Sequence, residues 1–465
     1  MGDRRLFAGA GGAAAAAATL GDRLGRRRLF LAGLAIFTVG SLACALAPSA
    51  VALEAFRAFQ GMGGAVLFAT GTPLLRAEFS GAALARALGA FGATIGGATA
   101  VGPLVGGALT DTFGWRSIFY VNLPIGVAAF ALGTTRLRES RHPAGGRSDW
   151  PGTALITLAL TALVFALIRG NALGWGSAAI VTLFVVGAAA LAGFVVYELR
   201  VAAAPMANLR LFARRSFAAT GFVAFAISAS VIGVISYLSL YVQNTLGYSP
   251  VQAGLRFLPL SLVSFAVAPL TGRLIGRVQM RVLLGVAMVA GAAGLAVMAR
   301  LTAGSTWLVL LPGFVLAGIG LGVTSTGLSS AALAAVEPEH AGMGAGMVNT
   351  LRQVGTAAGV AVLGALYASR VAAAVASGAG TRVAAHVPPV ARAAVTHAAR
   401  VGTTSGLNDV LIAAAALAAV GAIAGFAFGP DRPPAAAPAG HTASTSAHGE
   451  VASQPDAAAQ RTERS

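Results

Sequence analysis

The stretch TLGDRLGRRRLF, residues 19–30, carries five charged side chains in twelve positions, whereas charged residues make up only 10% of the chain. It lies between two apolar runs that are rich in Ala, Leu, Val and Gly. Dense arginine between apolar runs is typical of a short cytoplasmic turn that joins two membrane-spanning helices. The stretch therefore predicts a helical membrane protein in which this turn lies in the cytoplasm.

The composition extends this prediction to the whole chain of 465 residues. Hydrophobic residues make up 57% of it and the mean hydropathy is +0.79. Many apolar runs are long enough to cross a bilayer core of ~30 Å as helices, and helices satisfy their own backbone hydrogen bonds in lipid. We predict an all-α polytopic membrane protein with about thirteen spans, at roughly 5–20, 29–47, 50–75, 84–110, 117–135, 151–168, 178–197, 216–240, 255–275, 282–299, 306–335, 343–369 and 407–428.

The net charge of +17 does not predict a nucleic-acid partner. All 32 basic residues are arginine, and most lie in short loops between apolar runs, which is the pattern of topology signals. The single cysteine, Cys44, lies inside an apolar run and has no partner for an internal disulfide. The six histidines lack metal-ligand spacing. We expect the lipid bilayer as a partner, and no nucleic acid, metal or cofactor.

Arginine-rich loops alternate with arginine-poor ones, and by the positive-inside rule the rich loops are cytoplasmic. Loop 336–342 breaks the pattern with two acids and no arginine, and the long loop 370–406 breaks it with four arginines on the expected outer side. Keeping the alternation places the C-terminus in the cytoplasm. The tail 429–465, rich in Ala, Pro, Ser and Thr, is predicted to be disordered. We expect a multi-pass protein of a bacterial inner membrane.

Several motifs then occur in a defined order. They are LGDRLGRRRLFLAG (20–33), RAFQGMGGA (57–65), GAFGATIGGATAVGPLVGGAL (89–109), WRSIFYVNLPIG (115–126), LRLFARRSF (209–217), LSLYVQNTLGYSPVQAG (238–254) and NTLRQVGTAAGVAV (349–362). Together they resemble the major facilitator superfamily, and in particular its EmrB/QacA-type branch of fourteen-span drug:proton antiporters. The resemblance covers about residues 5–428.

The resemblance implies two pseudo-symmetric helical halves and two additional central helices. We expect an N-terminal half at 1–135, a central pair with its linkers at 136–215, a C-terminal half at 216–428 and the tail at 429–465. The first helix of the family has no counterpart in this sequence, which predicts either a truncated chain or a start codon assigned too late.

The resemblance also names candidate site residues in the first half. The signature loop implies a gate between helices, and the alternative is a set of charges that only fixes the topology. The residues of this loop are Gly21, Asp22, Arg23, Gly25, Arg26 and Arg27. The fourth-helix motif implies that Arg57, followed by Gln60 and Gly61, tunes a proton site or contacts substrate. Glu54 precedes Arg57 by three residues and faces the same side of the helix. The alternative is that Glu54 and Arg57 reach the outer interface together.

Two further motifs complete the set. The antiporter motif implies a helix seam of small residues that keeps the outer half of the bundle closed, with Pro103 bending the helix; its residues are Gly89, Gly97, Gly102, Pro103, Gly106 and Gly107. In the twelfth predicted span, Arg352 and Gln353 are pathway candidates, because an arginine within a membrane span is costly and commonly functional. The alternative for Arg352 is pairing with helix carbonyls or extension to the cytoplasmic interface.

We therefore predict a proton-coupled multidrug exporter that acts as a monomer on amphipathic small molecules. None of the 15 acids lies in the middle of a predicted span, so we expect neutral or anionic substrates rather than dications, whose desolvated charge needs a buried carboxylate. Two alternatives on the same fold are a metabolite or uptake carrier and a truncated, inactive transporter. A membrane enzyme would require clustered acids, histidines or a metal set, and the sequence shows no such cluster.

Overall fold

The computed structural model describes residues 25–79, 81–137, 139, 149–202, 207–336, 341–378 and 389–431. These residues form helices and contain no β-strand beyond an isolated bridge between Ile275 and Val278. The helices are α1 Arg26–Ala45, α2 Ala50–Glu78, α3 Gly81–Phe113, α4 Ser117–Tyr120, α5 Asn122–Arg136, α6 Trp150–Leu173, α7 Ala178–Arg200, α8 Arg215–Ile227, α9 Gly233–Leu240, α10 Pro250–Leu274, α11 Met280–Met298, α12 Leu311–Ala334, α13 Ala341–Gly378 and α14 Pro389–Phe428.

Ten helical stretches in the described part of the chain are long and apolar enough to cross a membrane. Helices α2 and α3, with 29 and 33 residues, also exceed the length of a span. The prediction of an all-α polytopic membrane protein is confirmed. The first predicted span, 5–20, and the tail from residue 432 lie outside the described residues.

The last two helices extend into the region that hydropathy assigned to a long loop at 370–406. Helix α13 continues to Gly378 and α14 begins at Pro389. Both extensions are rich in alanine, the best helix former, and a hydropathy pattern does not report helix beyond the bilayer. An ion pair of 2.9 Å between Arg370 and Asp409 joins the two helices.

The C-terminal group, α8–α14, shares one continuous apolar core that runs from Leu211 to Ala422. Its centre is the span Arg215–Thr245, in which α8 and α9 are each followed by a π-helical segment, Ser228–Ile232 and Tyr241–Thr245. The buried Tyr237 donates a hydrogen bond from its hydroxyl to the Val360 carbonyl of α13. This bond connects the central span to α13.

The N-terminal group, α1–α5, packs its first two helices backbone to backbone. A Cβ atom on Gly40 would lie 2.8 Å from the Gln60 Cα, and one on Gly63 would lie 2.5 Å from the Phe37 nitrogen. Only glycine permits this approach. The central pair, α6 and α7, packs against itself, and α6 also packs against α13.

Candidate functional site

The two ends of the bundle differ in charge. We call the end with residues 26–28, Arg136 and Arg200 the arginine-rich end. The opposite end, where α1 and α3 finish and α10 begins, is the arginine-poor end. The candidate residues of the first half lie near both ends, so each end is described separately.

A polar cluster lies within three helical turns of the arginine-poor end. Gln60, only 3% exposed, donates to the Ser41 hydroxyl at 2.6 Å and accepts from Arg57 at 3.4 Å. The Cys44 thiol lies 3.9 Å from the Gln60 oxygen, and Asn122 donates to Ser41 at 3.4 Å. We call Ser41, Arg57, Gln60 and Asn122 the central polar cluster. The cluster places the Arg57 guanidinium among apolar helices, and the polar side chains around it are hydrogen-bonded to one another.

Three helices position this cluster. Arg57 and Gln60 are one turn apart on α2, Ser41 is on α1, and Asn122 is the first residue of α5. The guanidinium of Arg57 lies 5.4 Å from the ring centre of Phe119, a favourable cation–π arrangement. Sequence reasoning found Arg57 and Gln60, but it did not find Ser41 or Asn122. Asn122 lay within a quoted motif, and its role depends on the break between α4 and α5.

Glu54 connects the N-terminal group to the central pair. Its carboxylate lies 4.0 Å from the guanidinium of Arg169 on α6, and both side chains are partly exposed. The sequence placed Glu54 beside Arg57 and did not predict the contact with Arg169, because two helices far apart in sequence supply the partners. Gly61, the third residue of the fourth-helix motif, is half-buried on α2. The close approach to α1 occurs at Gly63 instead.

The signature loop meets the end of α5. Gly25 has φ +105°, a left-handed conformation that favours glycine, and a Cβ atom there would collide with the Glu139 carboxylate. Arg27 donates to the Gly133 carbonyl at 3.3 Å and to the Thr134 carbonyl. Arg26 is the first residue of α1. The residues Gly21, Asp22 and Arg23 lie outside the described part of the chain.

Two arginines thus connect opposite ends of α1 to its neighbours, Arg27 to α5 and Arg116 to the start of α4. Arg27, at the start of α1, binds the last-turn carbonyls of α5. Arg116 donates to the carbonyls of Ala45, the last residue of α1, and of Ala47, just beyond it, at 3.1 and 3.2 Å. Cations at helix C-termini satisfy free carbonyls and the helix dipole. These clamps connect α1, α4 and α5 at both ends of α1.

Replacing Arg27 by methionine is expected to reduce the free energy of unfolding by about 1–2 kcal/mol, because two charge-assisted hydrogen bonds to helix-end carbonyls are lost. Arg28→Met is the matched control. Arg28 is 71% exposed and pairs with Glu139 only at 3.8 Å, so its loss should cost less than about 0.5 kcal/mol. Unfolding of the detergent-solubilised variants measures both values, and equal losses would contradict the clamp.

The glycine motif on α3 packs against the C-terminal group. A Cβ atom on the buried Gly107 would lie 2.5 Å from the Pro250 carbonyl oxygen, at the start of α10. Near it, the Ser249 hydroxyl donates to the Asp111 carboxylate at 3.2 Å. Helix α3 packs more extensively on α10 than on any described helix of its own group. The two groups therefore meet closely at the arginine-poor end.

The other motif residues differ in their surroundings. Positions 102 and 106 face open space, since a Cβ atom at either would meet nothing within 4 Å. Gly89, Gly97 and Pro103 lie within α3, and the side chain of Pro103 is outside the described part. Of the described motif glycines, Gly107 is the one in direct backbone contact with α10.

The second-half candidates lie on α13. Arg352 and Gln353 are both half-buried, and each lies about one turn after the exposed Asn349. The Thr356 hydroxyl donates to the Arg352 carbonyl within the same helix. The structure does not bring these residues into contact with the central polar cluster.

A family model described as Major Facilitator Superfamily matches residues 6–360. The chain belongs to the Major Facilitator Superfamily. This membership confirms the resemblance found in the motifs and makes the protein an integral membrane protein of a transporter family rather than of an enzyme family.

Relatives in the superfamily carry names of resistance and export proteins. The chain is 38% identical to multidrug resistance protein Stp of Mycobacterium tuberculosis over 76% of its length and 66% of the relative's. It is 37% identical to a probable actinorhodin transporter of Streptomyces coelicolor, over 85% of the chain and 68% of the relative. The identity to the tetracenomycin C resistance and export protein of Streptomyces glaucescens is 36%, with coverages of 76% and 66%. The chain thus spans slightly less than two thirds of Stp.

Solved structures support the fold. A POT family transporter crystallised with 5-aminolevulinic acid matches with a TM-score of 0.61 and 12% identity, over 90% of this chain and 85% of that one. A bacterial homologue of the human lysosomal transporter Spinster, in an inward-facing and unoccupied conformation, matches with a TM-score of 0.59 and 16% identity, over 92% and 91%. These similarities show the superfamily fold alone.

Proposed function

We propose that the chain exports amphipathic small molecules by alternating access and exchanges them for protons. The observation that carries the proposal is the close contact of Gly107 on α3 with Pro250 on α10, which joins the N- and C-terminal groups at one end of the bundle. Alternating access requires a contact that closes one end of the pathway and releases in the other state. The names of the relatives, which are resistance and export proteins or transporters, support export over uptake.

The orientation follows from the arginines. The positive-inside rule supports a cytoplasmic arginine-rich end and therefore a cytoplasmic C-terminus. The bacterial relatives support location in a bacterial inner membrane. The contact at Gly107 then closes the outer side, so substrate enters from the cytoplasm. In this proposal the signature-loop residues form the cytoplasmic gate and the protein acts as a monomer.

The central polar cluster is proposed to tune proton coupling. Arg57 holds a positive charge inside the N-terminal group, and Gln60 fixes its position through Ser41. A fixed cation of this kind changes how readily nearby groups and substrates bind protons.

The described carboxylates support neutral or anionic substrates over dications. Most of them lie in linkers or within about two turns of a helix end. Asp409, deeper in α14, is paired with Arg370 at 2.9 Å. The charge of Asp409 is therefore already balanced, and this carboxylate is not available to balance the charge of a desolvated dication.

Everted vesicles that contain the full chain test the proposal with two probes. Tetracenomycin C should accumulate when respiration acidifies the vesicle interior, and an ionophore that collapses the proton gradient should abolish the accumulation. The dication propidium should not accumulate. Accumulation that the ionophore does not reduce would contradict proton exchange. Transport only in right-side-out vesicles would indicate an uptake carrier. Proton-dependent transport of propidium would contradict the proposed substrate class.

A further inference from the structure

Arg352 is the most deeply placed arginine in the candidate spans that the structure describes. It lies nine residues after Met343, the first residue of its span, and 21 before Ala373, the last, which places it roughly 14 Å along the helix from the near end. No other arginine of those spans is as far as nine residues from both ends. A cation at this depth is expensive unless it faces a polar space or a ligand.

Three other arginines that lie inside helices have partners that the structure shows. Arg57 is bonded to Gln60 and lies over Phe119. Arg256 donates to the Gln252 carbonyl at 2.8 Å and stacks on the ring of Tyr248. Arg370 pairs with Asp409. By contrast, the guanidinium of Arg352 has no hydrogen bond, carboxylate within 4.0 Å or ring contact from any residue that the structure describes.

The contacts of α13 define the part of the helix surface on which Arg352 lies. Glycines on one side fit against α8 and the π-helical segment that follows it, because a Cβ atom on Gly355 or Gly359 would collide with the backbone of Phe225 or Ala229. Ala357 packs against Val164 of α6 on another side. Asn349, Arg352 and Gln353 are three and four residues apart and form a strip between these two contacts, with Arg352 beside the glycines and Gln353 beside Ala357. The strip is exposed at Asn349 and half-buried at the other two residues. We call these three residues the α13 polar face.

We infer that the α13 polar face binds the carboxylate of amphipathic anionic substrates, with Arg352 as the charge that holds it and with Asn349 and Gln353 as neighbouring hydrogen-bond donors. A guanidinium presents a fork of N–H donors that matches a carboxylate and binds it with two hydrogen bonds. Amide side chains on the same face supply further N–H donors. The inference rests on the proposed function and names a substrate class for it.

The test compares pyrenebutyric acid with its methyl ester, two fluorescent amphiphiles that differ by one negative charge. Binding to the purified full chain and accumulation in everted vesicles are measured for both probes. Arg352→Gln should weaken binding of the acid about tenfold to hundredfold, the range for a lost hydrogen bond to a charged group, and leave the ester within twofold. Arg352→Lys keeps the charge without the fork and should bind the acid more tightly than Arg352→Gln but less tightly than the original chain, which distinguishes loss of charge from misfolding.

Arg256→Gln is the matched control, because it removes an arginine from another span where aromatic rings and a carbonyl already hold the side chain. It should leave the ratio of acid to ester unchanged. If Arg352→Gln and the original chain show the same ratio, or if the original chain exports the ester but not the acid, the anion site is wrong while the exporter function stands. If the original chain exports neither probe, the proposed function fails, and the anion site fails with it.

Discussion

Replacing Gly107 by alanine is expected to lower export about tenfold or more and to make the protein leak protons. The added Cβ atom would lie 2.5 Å from the Pro250 carbonyl oxygen and 3.0 Å from the Val251 Cα. Both neighbours are backbone atoms at the start of α10, so helix α3 must move away. Overpacking of this kind costs about 1–3 kcal/mol, which lowers the population of the closed state relative to the open one about fivefold to 150-fold.

Gly106→Ala is the control within the same motif. A Cβ atom at position 106 meets nothing within 4 Å, and both substitutions raise helix propensity by the same ~1 kcal/mol. Any difference between the two variants therefore reports the contact with α10. Proteoliposomes loaded with a pH dye measure the leak, and everted vesicles measure export. If Gly107→Ala matches Gly106→Ala in both assays, α3 does not close the pathway at this position.

The sequence predicted the fold because its main signals are local. Apolar runs indicate membrane spans and arginines indicate helix ends, so most helices in the described part of the chain lie close to their predicted bounds. The extensions of α13 and α14 were not predicted, because hydropathy measures the preference of a segment for lipid. An alanine-rich segment can form a helix outside the lipid without a high hydropathy. The motif residues were found through the resemblance rather than through local pattern.

The contacts of the candidate site were predicted only in part. Arg57 and Gln60 are one turn apart, so their proximity could be read from the sequence. Ser41 and Asn122 reach Gln60 from other helices, and Arg169 reaches Glu54 from the central pair. Such contacts depend on how helices are arranged in three dimensions, and a single sequence does not encode that arrangement in any short pattern.

Arg57→Gln is expected to reduce proton-driven export about tenfold to hundredfold and to flatten its dependence on pH. The substitution removes the guanidinium that bonds Gln60 at 3.4 Å and lies over Phe119 at 5.4 Å, and hydrogen bonds to charged groups contribute about 1.5–3 kcal/mol. Arg57→Lys should restore only part of the activity, because an ammonium is a compact charge that cannot bond Gln60 and cover the ring together.

Arg116→Gln separates the proposed coupling role of Arg57 from a structural one. Arg116 also lies against an aromatic ring, at 4.5 Å from Trp115, but its hydrogen bonds end on the Ala45 and Ala47 carbonyls. Its loss should lower the unfolding temperature of the solubilised protein and leave the shape of the pH profile unchanged. Arg57→Gln should change the shape of the pH profile and leave the unfolding temperature unchanged, because the buried Gln60 keeps its hydrogen bond to Ser41 at 2.6 Å without the arginine. An Arg57→Gln variant with an unchanged pH profile and reduced stability would show that Arg57 is a packing residue.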